Sequence, residues 1–174
     1  MYLKDYLYKY KTSKYKKQLK VCGEKVFFDH TVIFSHPELI SIGNYVHIQP
    51  NCSFYGGGGL EIGEGTIFAH DVQILTQNHL FDAPDLQYIP YDERYINKPV
   101  KIDSHVWVGA RVTILPGVKI GKGVVIGAGS VVSHDIPDYA VAAGNPCVVL
   151  RYRINKERFD LLCQNDMGYI KKVK

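Results

Sequence analysis

The sequence has few of the features that mark membrane, secreted or disulfide-rich proteins. Its 174 residues include one tryptophan, two methionines and four cysteines. No apolar run approaches the ~20 residues that a membrane span needs. The first twenty residues are rich in lysine and lack the apolar core of a secretory signal. These absences predict a globular protein of the cytoplasm.

The cysteines form no CxxC pair and no framework typical of small secreted domains. They are spread along the chain, at Cys22, Cys52, Cys147 and Cys163. Such thiols are expected to stay reduced and to serve as small core residues. The composition, 46% hydrophobic and 22% charged, fits one domain with a substantial core.

Positive charge is concentrated at the two ends of the chain. Residues 1–20 hold seven lysines against Asp5 alone, a net charge of +6, whereas residues 21–150 carry −6 and residues 151–174 carry +4. A nucleic-acid-binding protein would place positive charge on its folded body, so that class is disfavoured. The Tyr/Lys-rich segment 1–20 is interpreted as a solvated helical extension, with peripheral contact to an anionic membrane surface or a partner subunit as the alternative.

A six-residue period organises the rest of the chain. Apolar residues recur every six positions, with two steps of eight and one gap of 28: Cys22, Phe28, Phe34, Ile42, Ile48, Phe54, Ile62, Phe68, Ile74, and again Ile102, Val108, Ile114, Ile120, Ile126, Val132. A helical face repeats at about 3.6 residues and a strand at about 2, so neither explains the period. It predicts a triangular coil of short parallel strands, each sending one side chain to the axis, with glycines and other small residues at corners that need positive φ.

The predicted all-β body, residues 21–150, contains about five and a half coils. Because such a coil exposes a strand edge at each end, the extension 1–20 and the segment 151–174 are expected to act as caps. Asn155 is a candidate N-cap for a short C-terminal helix over residues 156–163.

Three motifs carry a family resemblance: Val106-Trp107-Val108-Gly109, Ile126-Gly127-Ala128-Gly129-Ser130-Val131-Val132 and Ala142-Ala143-Gly144-Asn145-Pro146-Cys147. They resemble the hexapeptide-repeat acyltransferases, in particular galactoside, maltose and capsular-polysaccharide O-acetyltransferases. The resemblance implies a left-handed parallel β-helix and a homotrimer with active sites between subunits. It also implies transfer of acetyl from acetyl-CoA to a sugar hydroxyl, without a metal.

The period stops after Ile74 and resumes at Ile102, which predicts an excursion loop over residues 78–100. Long loops on rigid scaffolds often carry function, and His79 stands where the loop leaves the coil. A neutral imidazole can take the proton of an attacking hydroxyl. The resemblance implies that His79, within Thr76-Gln77-Asn78-His79, is the general base. A carboxylate or a backbone carbonyl is expected to hold its other nitrogen.

The resemblance also assigns coenzyme contacts. It implies that the amide of Ala110 is an oxyanion donor, that Arg151 binds a phosphate, and that Ala128, Ser133 and His134 contact the coenzyme. The alternative for the small residues is corner packing only. Two departures make the phosphate site less basic than usual, because His134 and Val148 stand where lysine and arginine are typical; Arg153 or Lys156 could compensate.

Gln49 matches a family asparagine that binds the acceptor, and Asn51, two residues further on, is a second candidate acceptor contact. Trp107 stands at a position of the six-residue repeat that should point outward and is expected to line the acceptor and thioester channel beside His79; coil packing is the alternative for Trp107. An acidic acceptor-binding residue of the galactoside enzymes aligns with Gly57, so a bacterial surface-polysaccharide precursor fits better than a simple galactoside. The same fold could instead acylate an antibiotic hydroxyl or an amine, or serve as a non-catalytic module. Zinc catalysis is disfavoured because no two histidines are five residues apart, as the zinc enzymes of this fold require.

Overall fold

The six-residue spacing forms very short strands, as the computed structural model of residues 12–169 shows. The strands are β1 (Val21–Cys22), β2 (Phe27–Phe28), β3 (Ile33–Ser35), β4 (Ile40–Ile42), β5 (His47–Ile48), β6 (Ser53–Tyr55), β7 (Leu60–Ile62), β8 (Ile67–Phe68), β9 (Gln73–Leu75), β10 (Gln77–His79), β11 (Tyr95–Asn97), β12 (Val100–Ile102), β13 (Trp107–Val108), β14 (Thr113–Ile114), β15 (Lys119–Ile120), β16 (Val125–Ile126), β17 (Val131–Val132), β18 (Ala140–Ala143) and β19 (Val148–Tyr152).

Three sheets form the sides of a parallel β-helix. Sheet A has the order β1-β4-β7-β12-β15, sheet B the order β2-β5-β8-β13-β16-β18-β19, and sheet C the order β3-β6-β9-β14-β17. Five coils are complete, and a sixth begins with the bridge between Ile120 and Ile136 and continues into β18. The last strand, β19, turns back antiparallel to β18. The predicted fold class and coil number are confirmed.

The core is an aliphatic and aromatic column inside the three sheets. Every residue of the six-residue period is buried except Cys22, which is half-buried. Most strands of the coil bury one side chain, as predicted, but β4, β7 and β12 bury two. A second set of residues, two positions before those of the period, is buried as well. This second set comprises Val26, Val32, Ile40, Val46, Cys52, Leu60, Thr66, Val72, Val100, Val106, Val112, Val118, Val124 and Ser130.

The corners depart from the expected glycine pattern. The BC corner, which joins sheet B to sheet C, has positive φ at Asn51 (61°), Asp71 (61°) and Arg111 (57°), and at a glycine only in the fifth coil. Backbone bonds run from coil to coil at this corner, for example from the Arg111 amide to the His70 carbonyl (3.0 Å). These bonds hold side-chain-bearing residues in a left-handed conformation that is unfavourable in isolation.

A helical segment packs at the N-terminal end, whereas the C-terminal helix lies along the corner between sheets A and B, where the Phe159 ring packs against His105 and Tyr139. Up to residue 169, the cap expected of residues 151–174 is thus not a helix over the last coil; β19 pairs with the edge of β18 there. Residues 12–18 are helical, and the Tyr15 ring packs edge-on against Phe34 with centroids 5.1 Å apart. The C-terminal helix spans Lys156–Gln164; Asn155 occupies its N-cap position, but its side chain makes no capping hydrogen bond. Asp160 ties this helix to the coil by accepting from Lys122 Nζ (2.7 Å) and the Tyr139 hydroxyl (2.8 Å).

Parts of the predicted caps, residues 1–11 and 170–174, lie outside the described residues. Between residues 12 and 169, no helix has the length and apolar character needed to cross a membrane. All four cysteines are free; Cys52 and Cys147 are buried and the other two are half-buried. Burial raises the pKa of the Cys52 thiol to about 11, which keeps it protonated and unreactive.

Candidate active site

An antiparallel hairpin projects from the coil between β9 and β12. Strands β10 and β11 pair with Gln77 opposite Asn97 and His79 opposite Tyr95. The buried Thr76 anchors its base: the Thr76 hydroxyl donates to the Tyr55 carbonyl (2.6 Å) and accepts from the Gly58 amide (2.7 Å). The excursion therefore starts and ends in a short strand pair that the sequence did not predict, and residues 80–94 between the two strands form the predicted loop.

Gly57 and Gly58 lie beside the base of the hairpin, where a larger residue would clash with it. A Cβ atom at Gly57 would collide with the side-chain amide of Gln77, and one at Gly58 would collide with the Thr76 carbonyl. Gln77 therefore fills the space beside Gly57, the position that aligns with an acidic acceptor-binding residue. A neutral amide stands where the resemblance places a carboxylate.

His79 is half-buried and lies against two tyrosine rings. Its imidazole stacks on Tyr91 with centroids 3.9 Å apart and planes at 24°, and lies 4.5 Å from the Tyr95 ring. His79 Nδ1 is buried without a hydrogen-bond partner. The expected carboxylate or carbonyl partner for the second nitrogen is therefore absent from the part of the chain that the structure describes.

One face of the hairpin gathers polar groups around this imidazole. Since side chains alternate along a strand, Gln77 and His79 share a face, and their partners Asn97 and Tyr95 share it as well. A pocket of about 310 Å³ opens here, lined by His79, Tyr88, Tyr91, Asp92, Glu93 and Tyr95. Sequence reasoning found His79 but missed the amide pair, although the two-residue spacing of Gln77 and His79 was a usable signal.

The BC corner carries four of the predicted residues. Gln49 and Asn51 follow β5, Ala110 follows β13 and Ala128 follows β16. Adjacent coils are separated by about 4.8 Å, so Ala110 lies about 10 Å above Gln49 along the axis. The amides of Ala110 and Ala128 donate to no other described residue. Two unpaired donors at the same corner can bind an acyl oxygen or an amide-containing chain.

Sequence reasoning missed a charged pair at the same corner. His70 Nδ1 lies 2.7 Å from Asp71 Oδ2, and the Arg111 guanidinium lies 3.9 Å from the same oxygen. The hydrogen bond from His70 is the main cause that lowers the pKa of Asp71. This cluster lies one coil away from Asn51.

Trp107 and Arg151 lie on the outer face of sheet B. The indole is 55% exposed, which agrees with its predicted outward position. The two residues line a groove of about 380 Å³ together with Val125, Val141, Arg153, Ile154, Asn155 and Phe159. The groove combines an apolar floor with two guanidinium groups, which fits a ligand that has an apolar arm and an anionic head.

Ser133 and His134 lie at the CA corner, which joins sheet C to sheet A. Ser133 Oγ and His134 Nδ1 are 3.0 Å apart, and His134 is exposed. The predicted residues thus occupy three places on one chain: the CA side with His79, the BC corner, and the outer face of sheet B. Trp107 does not share the pocket of His79. Between residues 12 and 169, no three His, Cys, Asp or Glu side chains are grouped as metal ligands.

Comparisons with known proteins agree with this architecture. The family described as "Bacterial transferase hexapeptide (six repeats)" matches residues 99–134. A galactoside O-acetyltransferase of Lactococcus lactis is 41% identical over 120 residues, which are 69% of this chain and 56% of that protein. Acetyltransferase sequences from Staphylococcus aureus match over 54% of their length. The chain thus spans about half the length of these curated relatives.

Solved structures cover more of the fold. A maltose O-acetyltransferase from Clostridium difficile has a TM-score of 0.76 at 34% identity, over 83% of this chain and 75% of that chain. A hexapeptide-repeat acetyltransferase from Vibrio cholerae, complexed with acetyl coenzyme A, has a TM-score of 0.73 at 26% identity, over 81% and 75% of the two chains. On its sequence, coil and relatives, this chain belongs to the hexapeptide-repeat acetyltransferase family.

Proposed function

We propose that this chain transfers the acetyl group of acetyl-CoA to a hydroxyl of a sugar, in a precursor of a bacterial surface polysaccharide. The hairpin face carries the proposal, since the Gln77 and Asn97 carboxamides lie on the same face of the strand pair as the His79 imidazole. An imidazole can accept the hydroxyl proton, and uncharged amides can donate to and accept from neighbouring sugar hydroxyls. The galactoside and maltose enzymes among its relatives act on acceptors of this class.

The chemistry follows from the two nitrogens of His79. Nδ1 is buried, so Nε2 is the nitrogen left to reach an acceptor. As the sugar oxygen bonds to the thioester carbon, Nε2 takes its proton. The amide of Ala110 is the proposed donor to the resulting oxyanion. Collapse of the tetrahedral intermediate breaks the carbon–sulfur bond, and the imidazolium returns the proton to the leaving thiolate.

The coenzyme has matching features on the chain. The unpaired amide of Ala128 suits the amide-rich pantetheine arm, with Ser133 and His134 as further proposed contacts. Arg151, on the rim of the groove beside Trp107, is exposed and can bind a phosphate. Arg153 is less available, because its Nε donates to the Gly123 carbonyl.

The complete site requires more than one chain. His79 lies on the CA side, whereas Trp107 and Arg151 lie on sheet B, so one copy does not bring the predicted residues together. A neighbouring copy that placed its sheet B against this hairpin would do so. We infer a homotrimer with three such sites, and Gln49 and Asn51 as acceptor contacts. Light scattering at micromolar concentration should give three times the chain mass; a monomer mass would remove the intersubunit site.

A thiol-release assay tests the activity. The purified protein is incubated with acetyl-CoA and a panel of galactosides, maltose, amino sugars and surface-glycan precursors, and free coenzyme A is measured with a chromogenic disulfide. Product mass spectra should show one added acetyl group on an oxygen. Release only with amine acceptors, or no acceptor-dependent release across the panel, would contradict the proposal.

A further inference from the structure

Three charged residues hold the loop between β10 and β11 in one conformation. The Arg94 guanidinium donates to Asp92 Oδ2 from Nε (2.9 Å) and to Asp85 Oδ2 from Nη1 (2.9 Å). The Arg94 backbone amide also donates to Asp92 Oδ1 (2.8 Å). We refer to Asp85, Asp92 and Arg94 as the loop clasp. Bonds in which both partners are charged are stronger and more directional than neutral ones, so the clasp restrains the backbone on both sides of it.

The clasp borders both aromatic rings that contact His79. Tyr91 directly precedes Asp92, and Tyr95 directly follows Arg94. Backbone bonds join the same stretch to the start of the loop: the Leu80 amide donates to the Arg94 carbonyl (2.9 Å) and the Asp92 amide to the Leu80 carbonyl (3.1 Å). Asp92 is only 3% exposed, although the surrounding loop faces solvent. The position of each ring is therefore tied to the clasp.

In the described chain the His79 ring is held by contacts with other rings, and its Nδ1 makes no hydrogen bond. A histidine base is usually fixed by a hydrogen bond from its second nitrogen, which also selects the tautomer. Here Nδ1 is buried without a partner, and the ring contacts to Tyr91 and Tyr95 take the place of that bond. Stacked rings hold the plane of an imidazole while leaving Nε2 free.

We propose that Tyr91, Tyr95 and Arg94 are positioning residues, which aim His79 Nε2 at the acceptor through ring packing instead of through a hydrogen-bonded partner. The inference rests on the proposed role of His79 as the base. It predicts that the aromatic rings matter and the tyrosine hydroxyls do not. It also predicts that the guanidinium fork of Arg94 matters, beyond its charge.

Two measurements test the inference, and the first needs no acceptor. Diethyl pyrocarbonate modifies unprotonated imidazoles, and peptide mass spectrometry gives its rate at His79 separately from the other histidines. Arg94→Met and Tyr91→Ala should raise that rate several-fold, because His79 Nδ1, buried while the ring of Tyr91 is stacked on the imidazole, becomes accessible to the reagent. Asp82→Asn, at an exposed position of the same loop without an ion pair to a described residue, is the matched control and should keep the wild-type rate.

The second measurement separates positioning from binding. With acetyl-CoA and the best acceptor of the panel, Arg94→Met and Tyr91→Ala should lower kcat by about 10²-fold, the effect of misplacing a reacting group by about 1 Å, and leave KM for acetyl-CoA unchanged. Tyr91→Phe should lose much less than Tyr91→Ala, and Arg94→Lys should not restore the wild-type rate.

The outcomes distinguish this inference from the proposed function. A wild-type modification rate in Arg94→Met and Tyr91→Ala would overturn it, as would equal loss in Tyr91→Phe and Tyr91→Ala. An inactive wild type that shows the expected modification pattern would refute the transferase assignment and still support ring-based orientation of His79. If Arg94→Met unfolds, as judged by thermal melting, Tyr91→Ala and Arg94→Lys carry the same comparison.

Discussion

The coil and the hairpin are stabilised by opposite kinds of residue. In the coil the buried side chains are almost all aliphatic or aromatic, in ladders such as Phe34, Phe54 and Ile74. Between Gln77 and Asn97 the single buried residue is a carboxylate, Asp92, and charged bonds hold the loop. The coil therefore supplies most of the free energy of unfolding, while the hairpin determines the position of the His79 side chain. A substitution should affect stability or turnover according to the region it changes.

The largest effect is expected from His79→Ala, which removes the proposed base and leaves the residues of the coil unchanged. Turnover should fall by about 10²–10⁴-fold, the usual contribution of general base catalysis. Assembly and coenzyme binding should stay unchanged, because the imidazole lies on the hairpin against Tyr91 and Tyr95 and not in the core of the coil. Steady-state kinetics measure the fall in turnover, and light scattering measures the assembly. A variant that turns over at the wild-type rate would exclude His79 as the base, and His105 and His134 would then be tested.

The complementary experiment changes the coil. Phe54 is fully buried between Phe34 and Phe68, with ring centroids 5.7 and 5.1 Å away. Phe54→Ala should lower the free energy of unfolding by about 3–5 kcal/mol, through lost burial and the cavity left behind. Ile33→Ala, in the neighbouring strand and 46% exposed, is the control and should cost far less. Denaturant unfolding measures both; equal losses would mean that the ladder is not the main source of stability.

The same contrast explains what the sequence could predict. Ile102 to Val132 repeat without interruption, and each coil contacts only its neighbours, so spacing alone determines strands, sheets and coil number. The second buried ladder was missed because Thr66 and Ser130 interrupt its apolar pattern and the eight-residue steps obscure it. Positive φ at Asp71 and Arg111 could not be predicted, since only the stacked corner makes it tolerable.

The site was harder to predict because it depends on contacts across the hairpin. The break in the period drew attention to His79. The ring stacked on it, Tyr91, and the clasp residue Arg94 are 12 and 15 residues away along a loop without periodicity. Their contacts follow from the pairing of Gln77 with Asn97, which no local pattern specifies. Trp107 and Arg151 were placed by resemblance, and the single chain shows them remote from His79.

A smaller effect is expected from Arg151→Ala, which tests the rim of the sheet B groove. Loss of one charge-assisted hydrogen bond, about 1.5–3 kcal/mol, should weaken coenzyme A binding by about tenfold or more. Calorimetry with coenzyme A and with its 3′-dephospho form should show the loss mainly for the former. Equal losses for the two ligands would place Arg151 away from the 3′-phosphate.

Gln77→Leu should have a weaker effect, limited to the acceptor. Each neutral hydrogen bond contributes about 0.5–1.5 kcal/mol, so kcat/KM for a sugar should fall by about two- to tenfold per lost bond. KM for acetyl-CoA should not change, since Gln77 lies on the hairpin face beside Gly57. Thermal melting of the variant checks that packing against Gly57 is retained. An effect on acetyl-CoA alone would contradict the assignment.

The smallest effect is a loosening of the hairpin tip by acid. Hydrogen bonds from Arg94 lower the pKa of both Asp92 and Asp85 below the ordinary value for aspartate. A lowered pKa means that the clasp is fully formed above the ordinary value, about pH 4, and is lost as the pH falls through the lowered values. The pKa of Asp160 is lowered in the same direction by Lys122, so the C-terminal helix should loosen in a similar range.

The aliphatic ladders of the coil do not titrate. As the pH falls below about 4, the hairpin should therefore lose protection from hydrogen exchange while the coil keeps it. Hydrogen exchange at the Arg94 amide, which donates to Asp92, reports the clasp, while exchange in β8 and β13 reports the coil. The Arg94 amide should lose protection first. In Arg94→Met that amide should already be unprotected at neutral pH. Simultaneous loss of protection in the hairpin and the coil would show that one cooperative unit holds both, contrary to the division drawn from their buried residues.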